Sequence, residues 1–129
     1  MAVSRLEALQ DSIAHAHGIS DPKSDSYKLR NPLLIRSFAM PGKNEVDEKG
    51  RRVFSSMISG YRAGLFDLQL KIEGKSRAKL KQDDPLSSLL AVYELKEPLE
   101  QKRVLRFLRP ALNDESITTS TPLSHFLGN

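Results

Sequence analysis

The sequence predicts an all-α fold: one domain over residues 1–129, a bundle of about four to five helices around a long central helix. Three observations predict it. Apolar residues recur at three- and four-residue steps in several separate segments, which stacks them along one side of a helix. Capping residues and prolines stand where those segments begin. The longest segment, about residues 45–73, is apolar on two sides.

The first helix is predicted over residues 5–17. Ser4 and Glu7 have the spacing of a capping box, Leu6, Leu9 and Ile13 mark its apolar side, and Gly18 suits the left-handed residue beyond its last turn. Residues 19–30 are polar and aperiodic and are expected to be a loop. Asn31-Pro32 then opens an apolar segment, Leu33 to Phe38, read as two helical turns, and Pro41-Gly42 makes a turn.

The central helix is expected at 45–73, with Asn44 as its cap and Glu45, Asp47 and Glu48 near the positive end of its dipole. One stripe holds Phe54, Met57, Ile58, Tyr61, Leu65, Leu68 and Ile72; a second, nearly opposite, holds Ala63, Phe66 and Leu70. A helix that only lies on a core needs one stripe, so two imply a central position or a subunit interface. Ser56, Gly60 and Gly64, four residues apart, suit close packing of another backbone, which offsets the roughly 1 kcal/mol that a mid-helix glycine costs. Residues 66–73 also alternate apolar and polar as a strand would. Helix is preferred because Tyr61, Leu65, Leu68 and Ile72 continue the upstream stripe; a strand would pair with Ile117–Thr121 or a second subunit.

Gly74 ends this helix, and residues 74–83 form a basic connection. Asp84-Pro85 starts a helix to about Leu95 with Leu86, Leu89, Leu90 and Tyr93 inward. Pro98 ends that helix and opens another to about Leu112, in which Pro110 kinks or shortens the last turn. Its broad apolar side holds Val104, Leu105, Phe107, Leu108, Ala111 and Leu112. Residues 113–129 are expected to be a loosely ordered tail with one short turn after Thr121-Pro122, containing His125 and Phe126.

Composition narrows the function. With 39% hydrophobic and 28% charged residues the chain is globular rather than disordered. It has no cysteine, which excludes thiolate metal sites, cysteine nucleophiles and disulfides and suits a cytoplasmic location. Arg5, Glu7 and Asp11 interrupt any leader-like apolar run, and no membrane span is expected. His15 and His17 project about 200° apart on a helix, so one metal cannot easily take both, and Asp11 with His15 supplies only two ligands. No metal and no cofactor are therefore expected. The acidic pairs Asp47/Glu48, Asp83/Asp84 and Asp114/Glu115 lie near helix ends, where capping accounts for them. There is no nucleophile elbow, phosphate loop or dinucleotide fingerprint, and no catalytic residue is assigned.

Two functional readings result. The first is a non-enzymatic helical interaction module, an adaptor, accessory subunit or small structural protein, that binds a protein partner or itself. Ala63, Phe66 and Leu70 are its contact residues. The alternative is sequence-tolerant nucleic-acid binding, with a net charge of +4 and two basic segments, 71–81 and 102–109. There Lys75, Arg77, Lys79, Lys81, Lys102, Arg106 and Arg109 would neutralise phosphates. Neither a recognition motif nor aromatic residues interleaved with the basic ones accompany them in the sequence.

Overall fold

A computed structural model describes residues 4–36, 45–75 and 79–127. The protein is all-α in character, with five α-helices among the described residues: α1 (Arg5–Ala16), α2 (Asp25–Leu29), α3 (Met57–Ile72), α4 (Leu86–Val92) and α5 (Pro98–Leu112). Two very short strands, β1 (Glu45–Val46) and β2 (Arg52–Val53), form a hairpin before α3, and a 3-10 turn spans Leu123–Phe126. Helix α1 packs against both α5 and α3.

Local chemistry accounts for α1 as expected. The Ser4 hydroxyl accepts from the Glu7 amide at 3.1 Å, and Gly18 follows the last turn at φ +79°. Leu9 and Ile13 are fully buried. The polar segment 19–30 is not all loop: Ser24 caps the five-residue α2 by accepting from Tyr27 N. The apolar segment after Asn31 is a turn leading to a bridge at Arg36, not two helical turns as far as it is described. Asn31 determines this, because its buried side chain donates to the carbonyls of Ile35 and Arg52 and accepts from Ile35 N. Phe38, Pro41-Gly42 and the Asn44 cap lie outside the described residues.

The expected long helix over 45–73 is corrected to 57–72. Its first third is the hairpin, in which Glu45 pairs with Val53 and Val46 with Arg52. Asp47 causes the change: its Oδ1 accepts from both Lys49 N and Arg51 N, a turn that competes with helix. Gly50 completes the turn at φ +80°. Helix α3 then starts at Ser56, whose hydroxyl accepts from Ser59 N. Residues 66–72 are helical, so the strand alternative does not hold there.

The two apolar stripes of α3 do not form two separate buried faces. Leu68 and Ile72 of one and Ala63 of the other belong to one broad buried arc, about half the circumference at 100° per residue, that runs through Gly60, Ala63, Gly64, Asp67, Leu68, Lys71 and Ile72. Both glycines are close-packing positions: a Cβ at Gly60 would lie 1.9 Å from the Arg30 carbonyl oxygen, and one at Gly64 would lie 2.3 Å from Gln10 Oε1.

Helix α4 is shorter than expected, and Pro85 rather than Asp84 is its cap residue. Its free first-turn amides are satisfied from far along the chain: Leu86 N donates to Thr121 O and Ser87 N to Thr119 O. Helix α5 runs through Pro110 to Leu112 and stops at Asn113, φ +51°. Glu100 Oε1 accepts from Glu97 N at its start. The tail beyond 113, expected to be loosely ordered, is tied down over most of its described length. Ile117, Leu123 and Phe126 are buried in the core, and Leu123 N and Ser124 N donate to Asp84 O and Gln82 O.

Candidate functional site

Helix α3 presents its outward side as one row, Ile58, Arg62, Phe66 and Leu70, stepping by four residues. Ile58 is 66% exposed and Phe66 52% exposed, while Leu70 is half-buried. The structure thus keeps Phe66 and Leu70 on an accessible side. Ala63 is different: it lies in the core, only 7% exposed, and does not contribute to that surface. The sequence pattern groups Ile58 with Phe54, Met57 and Tyr61, apart from Phe66 and Leu70. Ile58 belongs to the outward row, because the buried arc is centred on the polar and glycine positions rather than on either apolar stripe.

The row is backed by a buried polar network. Asp67 and Lys71 form a buried ion pair one helical turn apart, and the Tyr93 hydroxyl donates to Asp67 Oδ2 at 2.7 Å. The Lys71 ammonium also sits 4.9 Å from the centre of the Tyr93 ring. Burial, with the Asp67 carboxylate beside it, pushes the Tyr93 phenol well above its ordinary pKa. Each charge is paired, and this is the condition under which such groups persist inside a fold. The network fixes α3 in rotation and register against the end of α4.

A second polar cluster joins the hairpin to the helices. Arg51, 7% exposed, donates to Asp25 of α2 at 2.7 Å and to both oxygens of Glu94 at 2.6 and 3.1 Å. His17 lies in the field of this cluster. Burial lowers its pKa below the ordinary value; the Tyr93 carbonyl, Glu94 and Glu100 act upward, and Arg51 acts downward. Its Nε2 is buried without a hydrogen-bond partner among the described residues.

The tail carries a serine, an aspartate and a histidine in contact. Asp114 accepts from the Ser116 hydroxyl and from Ser116 N at 3.0 Å, and its other oxygen lies 3.1 Å from His125 Nε2. Hydrogen bonds from Ser116 and His125 hold the Asp114 carboxyl below its ordinary pKa. The serine bonds the carboxylate and not the imidazole, so the arrangement stabilises a turn and lacks the hydroxyl-to-imidazole link of an activated nucleophile. A cleft of about 590 Å³ that none of these three residues lines has Leu6, Leu65 and Phe126 in its wall and Gln69, Glu73 and Lys75 among its polar groups. Those polar groups satisfy one another, since Glu73 accepts from Gln69 at 3.2 Å and pairs with Lys75 at 3.3 Å. No group of three or more metal-ligating side chains occurs among the described residues, and no described helix is long and apolar enough to cross a membrane.

The basic positions fare unevenly. Lys75 is paired with Glu73, Lys79 and Lys81 are exposed, and Arg77 lies outside the described residues. Lys102 and Arg106 are exposed on α5, whereas Arg109 is half-buried and donates from Nε to the Ile117 carbonyl at 2.7 Å. One pairing beside them escaped the sequence reading: Phe107, placed on the inward side, is 37% exposed and stacks on His15 with ring centres 4.9 Å apart.

Comparison with known proteins adds no relative, since no protein-family model, curated protein or solved structure matches the chain.

Proposed function

We propose that the protein is a non-enzymatic helical interaction module, an adaptor or accessory subunit, that self-associates through the outward side of α3. The observation that carries this reading is the row Ile58, Arg62, Phe66 and Leu70. Two of its large apolar side chains are more than half exposed, at 66% and 52%, on a helix anchored from behind. A row at four-residue steps is the ridge geometry with which one helix enters the groove of another. Burying Phe66 and Ile58 against an identical row around a two-fold axis gives an isologous contact, the commonest form of association for soluble chains. In this reading the helices act as one small bundle whose core is complete and whose α3 surface is the contact. Arg62 in the centre of the row suits the polar element that such contacts carry.

Native mass by light scattering, with concentration raised to the millimolar range, tests it. The expected result is a species at twice the 14.5 kDa chain mass, and a Phe66→Asp variant that stays at 14.5 kDa with unchanged helical circular dichroism. A wild-type chain that remains monomeric at the highest concentration overturns self-association.

A further inference from the structure

The outward side of α5 carries a run of cations that no acid pairs with among the described residues. Lys102, Arg103 and Arg106 are exposed, and none of them is in an ion pair among the described residues. Arg109 stands on the same side and gives one N–H to a neutral carbonyl, which leaves its charge uncompensated. At 100° per residue the four fall within about 120° of the helix circumference. Lys102 and Arg106 are four residues apart, and Arg103, Arg106 and Arg109 are three apart, spacings at which like charges repel along a helix. The acids at the start of α5 form no ion pair with them among the described residues, and Glu100 is held on the Glu97 amide at 3.1 Å.

Next to these cations lies the ring pair. Phe107, one turn beyond Arg103, stacks on His15 of α1 at 4.9 Å and 30°, and both rings reach solvent. Glu7 and Asp11 continue the outward row of His15 along α1 and bound the surface on that side. A phosphate chain is therefore confined to α5, with the rings on its flank. A cationic track beside a solvent-facing aromatic pair is the combination that single strands use. Phosphates meet the basic groups, and an unstacked base finds a π face. A duplex keeps its bases stacked away from Phe107, an acidic peptide has no use for the rings, and an anionic bilayer would respond to the exposed Leu99 rather than to them.

We propose that this side of α5 binds single-stranded nucleic acid, with phosphates on Lys102, Arg103, Arg106 and Arg109 and a base on the Phe107–His15 rings. The site does not involve the α3 row and stands or falls separately from it.

The test is fluorescence anisotropy of the full chain with a labelled thymidine oligonucleotide about 20 nucleotides long, in about 50 mM salt. Micromolar binding is expected, with a log–log salt slope near −3, about 0.7 for each of four phosphates. The double variant Arg103→Gln/Arg106→Gln should weaken binding by about ten-fold or more. Because the chain has no tryptophan, Phe107→Trp supplies a single reporter whose emission a stacked base would quench. Far-ultraviolet dichroism of each variant checks folding, and the unsubstituted chain carries the binding result if a variant fails to fold. Absence of binding at about 100 µM protein overturns the proposal. So does equal affinity for polyglutamate or for anionic phospholipid vesicles, or binding that leaves the indole emission of the Phe107→Trp variant unquenched.

Discussion

Gly60, which has no side chain, and His17, whose imidazole is buried, each tie a single residue to the stability of this protein. Gly60 is the sharpest case. The backbone of α3 passes so close to the Arg30 carbonyl that a methyl group would arrive at 1.9 Å, and the obstacle is backbone, which cannot rotate away. Gly60→Ala should therefore lose about 1–2 kcal/mol in urea unfolding, although alanine is the better helix former by about 1 kcal/mol. Gly64→Ala should lose less, because its nearest obstacle is the movable amide of Gln10. His17 is a second case. Burial lowers its pKa, so the unfolded chain takes up the proton first as pH falls. Stability should be level above about pH 6.5 and decline below it toward the folded-state pKa, and His17→Gln should flatten that decline in thermal melts at about pH 5 to 8.

At the level of elements, the segment 45–72 shows what periodicity can and cannot reveal. The sequence made α3 visible, since its apolar residues keep helical spacing, but it hid the buried side. Asp67 and Lys71 are charged residues on the buried side, and their mutual ion pair and the hydroxyl of Tyr93, brought from 26 residues away, make that burial tolerable. The hairpin was hidden for a related reason. Glu45, Asp47 and Glu48 suit a helix start, but the Asp47 carboxylate takes the amides of Lys49 and Arg51 instead. Beside the backbone bond from Phe54 N to Leu29 O, Arg51 ties that hairpin to Asp25 of α2 and to Glu94. Lysine cannot reproduce two parallel N–H bonds to Glu94 while also reaching Asp25. Arg51→Lys should cost about 1–2 kcal/mol by chemical denaturation, with half-exposed Asp25 keeping the loss modest. Helices α1 and α5 were legible because their caps and apolar sides are local in sequence. The outward row was half legible: the sequence sets Phe66 and Leu70 on one side but groups Ile58 elsewhere, since the row only exists once the inward arc is known.

Across the whole molecule, the C-terminal segment belongs to the core, which a local reading of residues 113–129 could not show. Phe126 is 1% exposed and Leu123 fully buried, both within the same cluster as Leu9, Leu68 and Leu90. Phe126→Ala should lower stability by about 3–5 kcal/mol, read as a fall in the denaturant midpoint. Truncation before Ile117 should have a larger effect, because it also removes the acceptors for Leu86 N and Ser87 N. That long-range capping imposes a timetable on synthesis. Leu86 and Ser87 leave the ribosome more than thirty residues ahead of Thr119 and Thr121, so the first turn of α4 must wait with open amides until the later segment arrives. A chain truncated at residue 115 should keep α1 and α3 in reach of each other while the first turn of α4 frays. Closure of α4 would then report that the threonines have docked.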